Sequence, residues 1–168
     1  MLESDLISPR AFAAQGCVLT GSLSPAEMDG RVRSHEYLAD QTEPLLVSLC
    51  GGTDRMQRPY LDLSVRGSLM LVCQCCMQPM ECQLDESTRI VLFDDEASLD
   101  AAMLADDGLD GMVCVDELSV CTLVEDQILM ALPYAPRHES CGISSELADA
   151  DCGKPNPFAV LSGLKSNK

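Results

Sequence analysis

A chain of 168 residues that is 46% hydrophobic, only 4% aromatic and free of Trp can bury one self-sufficient core, which Leu, Val, Met and Cys must fill. Its 27 acids against 11 bases give a net charge of −16, a surface that repels phosphate backbones and disfavours nonspecific nucleic-acid binding. No run approaches the roughly 18 consecutive apolar residues of a membrane helix.

The charge is unevenly spread. Residues 1–92 hold 12 acids and 7 arginines, residues 93–153 hold 15 acids and only Arg137, and residues 154–168 hold three lysines and no acid. A mildly acidic body runs into a very acidic middle and ends in a short basic tail. There are ten cysteines. Met1-Leu2-Glu3-Ser4-Asp5 carries two acids and no apolar run follows, so the expectation is a cytoplasmic chain with reduced thiols. There a C-x2-C pair points to metal or catalysis rather than to a disulfide.

Residues 1–14 show no firm pattern and read as a loosely held arm. Cys17 to Leu23 is a short strand. Ser24-Pro25-Ala26-Glu27 has the form of a capping box opening a short helix to about Arg33, with Arg31 and Arg33 on its last turn. Leu45 to Cys50 reads as a strand ended by Gly51-Gly52. Tyr60 to Arg66 alternates polar and apolar residues, as a half-buried antiparallel strand does. Beyond Gly67, Ser68 to Cys73 continues or pairs with it. A returning strand is expected over 80–84 and 89–93.

Between these strands lies Cys73-Gln74-Cys75-Cys76-Met77-Gln78-Pro79, a C-x2-C knuckle with a third thiol inside it, at a predicted hairpin tip. Residues 94–111 hold seven acids and read as a solvated acidic loop; they lack the regular alternation of a calcium-binding EF-hand loop. Met112 to Val115 is a short strand. Asp116 is placed to cap the main helix, 117–131, with Leu118, Cys121, Val124, Ile128 and Leu132 on the buried face and Ser119, Thr122, Glu125, Asp126 and Gln127 on the polar one. Pro133 and Pro136 stop it, and His138-Glu139-Ser140-Cys141 repeats the C-x2-C spacing. Residues 143–153 read as an acidic loop. Asn156-Pro157 opens a short helix with Phe158, Leu161 and Leu164 on one face.

Three segments carry a resemblance. Gly67 to Pro79, Leu123 to Pro133 running on to Pro136, His138 and Cys141, and Lys154 to Leu161 followed by Leu164-Lys165 together resemble the YceD-type family of bacterial proteins, linked to accumulation of large-subunit ribosomal RNA. The likeness covers about residues 45–168. In that family the knuckle usually has Arg where this chain has Cys75. The resemblance implies one domain over 1–168 and a ribosome-biogenesis factor that helps 23S rRNA accumulate, in contact with the RNA or a pre-50S particle.

Cys73, Cys76, His138 and Cys141 form a candidate Cys3His set for one structural zinc; the bland reading is a cluster of buried thiols beside a capped His. No phosphate-binding, dinucleotide or nucleophile-elbow motif is present, so no enzyme activity is expected. Arg55, Arg58, Arg66, Lys154, Asn156, Phe158 and Lys165 are the candidate rRNA or partner contacts, and the acidic loop a candidate site for a basic ribosomal protein. The alternative is a zinc- or thiol-dependent interaction and redox-sensing module. The expected architecture is α+β: an antiparallel sheet, open or curled into a partial barrel, covered by the main helix.

Overall fold

Two long strands carry the fold. In the computed structural model, which describes residues 6–24, 27–39 and 43–141, β4 (Pro59–Val72) and β5 (Pro79–Phe93) pair antiparallel from Tyr60↔Val91 to Val72↔Pro79. Before them come β1 (Leu6–Ile7), α1 (Pro9–Ala14), β2 (Val18–Leu23), α2 (Gly30–Arg33) and β3 (Leu45–Thr53). After them come α3 (Glu96–Ala105), β6 (Asp110–Val113), β7 (Leu118–Ser119) and α4 (Val120–Ala131). The main sheet has five strands in the order β2-β3-β4-β5-β6, antiparallel except for the parallel β5–β6 pair; β1 and β7 form a separate ribbon. The sheet is open, so the partial barrel does not form. Two compact units divide the chain, Met1–His138 and Glu139–Lys168.

Period-two alternation sets which face is wet. Leu45, Val47 and Leu49 on β3 and Leu61, Leu63, Val65, Leu69 and Leu71 on β4 all lie inward and are buried. Each such side chain contributes about 1.5–3 kcal/mol through removal from water. Val120, Val124 and Ile128 of α4 complete the same core. Spaced four apart, they form a helical stripe laid on the sheet. The outer face carries Ser48, Ser64 and Ser87 and the cross-strand pairs Asp62↔Arg89 and Arg66↔Asp85.

Glycine decides two details. Gly67 has φ +152°, and a Cβ there would come within 2.6 Å of the Leu45 side chain. β4 runs unbroken through it, with the Leu45 side chain in the space a Cβ would take. Gly51 does not end β3 either. A Cβ on it would lie 2.5 Å from the Phe12 carbonyl oxygen, so this glycine is where α1 seats on the sheet.

Other expectations are corrected. The opening arm contains β1 and α1, because Ser8-Pro9 supplies an N-cap and N1 pair. The capping box is half realised: the Ser24 N–H donates to the Glu27 carboxylate at 3.1 Å, but the helix begins only at Gly30, capped by Asp29. The returning strand is continuous over 15 residues. The acidic segment 94–111 is not a loop. Asp95 caps α3 by accepting from the Ser98 N–H, and the segment ends by entering β6.

The main helix starts at Val120, not 117, because Leu118 and Ser119 pair with β1 and the Ser119 side chain is the cap. Its buried face is centred on Val120, Val124 and Ile128, with Cys121 and Leu132 at the margin; this turns Glu125 inward. No helix among the described residues is long and apolar enough to cross a membrane.

Candidate metal centre

The β4–β5 hairpin builds the knuckle. Cys73 is the first residue beyond β4 and wholly buried, while Cys75 and Cys76 are exposed at the tip. The Cys73 N–H donates to the Gln78 carbonyl at 2.9 Å and the Met77 N–H returns to the Cys73 carbonyl at 2.8 Å. Met77 takes the left-handed conformation, φ 59°, that this tight reversal requires. The Cys75 N–H points at the Cys73 sulfur, 3.4 Å away.

The chain beyond α4 is fastened to this tip. Leu132 is extended rather than helical, and Pro133 cannot continue the helix. Pro136 is wholly buried, and its carbonyl accepts the Gln74 N–H at 2.8 Å. The His138 ring then lies between two knuckle groups, with Nε2 3.3 Å from the Pro79 carbonyl oxygen and Nδ1 3.5 Å from the Cys76 sulfur. A proton on Nε2 donates to Pro79 and leaves the Nδ1 lone pair facing the thiols. Metal-binding histidines are ordinarily held in this way, by a carbonyl that accepts from the ring nitrogen turned away from the metal.

Cys141 follows His138 by three residues. The ligand atoms of Cys73, Cys76, His138 and Cys141 all lie within 4.8 Å of one another. A tetrahedron with Zn–S near 2.3 Å and Zn–N near 2.0 Å has edges of about 3.5–3.8 Å. The Cys76–His138 distance already matches such an edge, so this Cys3His cluster can hold a metal. Four protein ligands leave no open coordination position, which is the arrangement of a structural site rather than a catalytic one. Burial pushes the Cys73 thiol up. The backbone N–H groups of Cys76, His138 and Cys75, together with the Cys76 thiol, outweigh that and bring it to about 5. The site therefore favours thiolate at its buried corner, the form a metal needs.

The candidate contact residues fare differently. Arg55 is exposed in the β3–β4 turn. Arg58 sits at the end of the same turn, where its Nε bonds Asp54 at 2.8 Å. Hydrogen bonds from the Arg58 backbone, and then from the Arg58 side chain and the Met56 backbone, hold the Asp54 carboxyl below its usual range. Arg66 lies eight residues further along, about 26 Å at strand rise, and bonds Asp85 across the sheet at 2.7 Å. These three do not form one basic patch.

Three other arginines are paired as well, and Arg89 lines one cleft with Arg58, Asp54, Asp106 and Asp110. Arg89 makes two 2.7 Å bonds to Asp62 and lies 4.0 Å over the Tyr60 ring; Arg31 pairs with Asp126 and Glu125, and Arg10 with Asp94. Lys154, Asn156, Phe158 and Lys165 lie outside the described residues. Sequence reasoning missed Glu125, which is 3% exposed and accepts from the Asp29 N–H at 2.7 Å. The 120-124-128 spacing was the signal that would have placed it beside the core.

An α+β chain with a paired-cysteine hairpin joined to a downstream histidine defines a small knuckle-bearing class. Comparison with known proteins makes this narrower. The family described as "Large ribosomal RNA subunit accumulation protein YceD" matches residues 61–165, and the chain belongs to that family. A curated relative from Haemophilus influenzae (strain ATCC 51907 / DSM 11121 / KW20 / Rd), named "Large ribosomal RNA subunit accumulation protein YceD", is 40% identical over 57 residues, 29% of this chain and 33% of that protein. The aligned part thus spans about a third of the relative's length. No solved structure matches the chain significantly.

Proposed function

We propose that this protein is a non-enzymatic ribosome-biogenesis factor of the cytoplasm that promotes accumulation of 23S rRNA by engaging rRNA or a pre-50S particle. Family membership over 61–165, which includes the knuckle, carries this reading. The knuckle serves it structurally: three thiolates and one imidazole suit zinc, and one ion would tie the β4–β5 hairpin to the chain leaving α4. Catalysis is not required, since the donor set is closed.

Contact with the particle is assigned to exposed Arg55 and to Lys154, Asn156, Phe158 and Lys165 of the basic tail. Arg58 and Arg66 are already neutralised by Asp54 and Asp85, and the chain's charge of −16 opposes broad contact with RNA phosphates. The surface therefore favours engagement of the particle through protein contacts, with RNA touched only locally.

The test is deletion of the gene in its own host, followed by 23S rRNA quantification and gradient sedimentation of the tagged protein. Reduced 23S rRNA, restored by the full chain and not by one ending at residue 153, is the expected result. Normal 23S rRNA, with the protein absent from large-subunit precursors, would refute it. The competing reading, a zinc- or thiol-dependent interaction and redox-sensing module, draws on the exposed Cys75 beside the cluster. It predicts metal-dependent partner binding away from ribosomal particles.

A further inference from the structure

Helix α3 is unlike the other described helices, because none of its ten residues is buried. Leu99 and Ala102, half-buried, turn toward the sheet; Gly111 lacks the side chain that would otherwise meet Leu99. The opposite face carries Ala97, Ala101 and Leu104 at i, i+4 and i+7, all exposed, with Leu104 at 87%. A solvent-facing helix ordinarily puts polar residues on that stripe. Here it is apolar, and two of its three positions are alanines that allow another helix to approach closely.

Charge indicates what that helix would be. Glu96 and Asp100 line one long side of the stripe, a like-charge i,i+4 pair that costs stability in isolation. Asp106 and Asp107 follow at the helix C-terminus, where the dipole favours cations, and no basic residue occupies the last turn. From Asp94 to Asp110 there are seven acids and no base. Asp94 already pairs with Arg10, and Asp106 and Asp110 share a cleft with Arg58 and Arg89, but a cationic edge laid along this side would relieve Glu96, Asp100 and Asp107. RNA phosphate would worsen them. A second copy placed face to face would set acid against acid.

We infer that the α3 stripe Ala97-Ala101-Leu104 is the docking site for an amphipathic helix of another protein, one with a Leu, Ile or Met anchor flanked by Lys and Arg. The inference rests on the proposed function for where the partner resides, on large-subunit precursors, and deepens it by naming the surface and the partner's chemistry.

The experiment places a photo-crosslinking benzoylphenylalanine at position 101 of the full chain, in cells, and sequences the crosslinked peptide. That peptide is then synthesised and its binding to the wild-type chain measured against salt. The expected result is a Lys/Arg-rich helical peptide whose binding weakens with salt and falls at least about tenfold with Leu104→Gln, while Leu46→Gln on the exposed sheet face leaves it unchanged. Because Leu104 is exposed, Leu104→Gln keeps the wild-type melting temperature, so a loss reports docking. A crosslink to RNA, to a second copy or to nothing overturns the inference, as does binding indifferent to Leu104→Gln. If a basic helical partner is found but never sediments with precursors, the docking site stands and the ribosomal reading fails. If the protein sediments with precursors but position 101 gives no protein crosslink, the reverse holds.

Discussion

At the scale of single residues, Cys73, Cys76 and His138 are distinguished by what surrounds them. Cys73 is buried with N–H groups directed at its sulfur, and His138 is oriented by the Pro79 carbonyl. Cys75 lies in the same turn but is exposed, with its own N–H spent on Cys73. Protein purified without oxygen should therefore carry about one zinc per chain. Cys73→Ser or Cys76→Ser should drop that toward zero by metal analysis, and Cys75→Ser should leave it intact. Loss of zinc in Cys75→Ser would make the middle thiol a ligand and undo the assignment.

The Cys73 thiol adds a pH dependence. It titrates near 5 when folded against an ordinary 9.0, so the unfolded chain binds the extra proton between those values. The resulting stability is complete above the unfolded value and is lost as pH falls toward 5. Metal-free protein kept reduced should melt at progressively lower temperature from pH 8.5 to 5.5. Cys73→Ser should flatten that slope; an unchanged slope would remove the thiolate as its cause.

At the scale of elements, the joints are few and specific. Glu125 of α4 is buried, yet it accepts from the Asp29 N–H and from Arg31 of α2. Glu125→Ala should cost about 2–4 kcal/mol in urea unfolding, because the Asp29 N–H loses its acceptor and Arg31 its more buried partner. A cost under half of one kcal/mol would mean that this joint carries little. Gly51→Val should act where α1 seats on β3, since backbone atoms of Phe12 and Ala13 leave no room for a Cβ. Overpacking of about 1–3 kcal/mol is expected, with amide exchange in α1 rising before that of the β4–β5 pair. Retained protection in α1 would show that the seat adjusts.

At the scale of the whole molecule, the charge of −16 sets how the protein meets other macromolecules. Of the arginines described, five are engaged by carboxylates. Filter binding to arbitrary duplex RNA at physiological salt should therefore show a Kd no tighter than about 10⁻⁴ M, the weak end of nonspecific binding. Micromolar binding to unrelated RNA would mean that the acidic surface does not govern recognition. Engagement of large-subunit precursors would then owe more to phosphate contact than to a protein partner.

The sequence by itself determined the α+β class, the hairpin with its cysteines at the tip, and the donor types at 73, 76, 138 and 141. Alternation at period two, a proline-ended turn and C-x2-C spacing are local signals, and local physics suffices to read them. Only the tertiary structure decided the rest. Gly51 read as the end of a strand, but it lies where Phe12 and Ala13 of α1, distant in sequence, fill the space of a side chain. Glu125 read as polar surface, but it lies beside the buried Val120-Val124-Ile128 stripe, where Asp29 and Arg31, distant in sequence, engage its carboxylate. The acidic segment read as loop because seven carboxylates hide a helix that starts from one Asp–Ser cap and leans on Gly111. Arg66 looked available because its partner, Asp85, is set opposite it by strand register rather than by neighbourhood in the chain. The convergence of His138 on the knuckle depends on two hydrogen bonds across some sixty residues, which spacing alone does not specify.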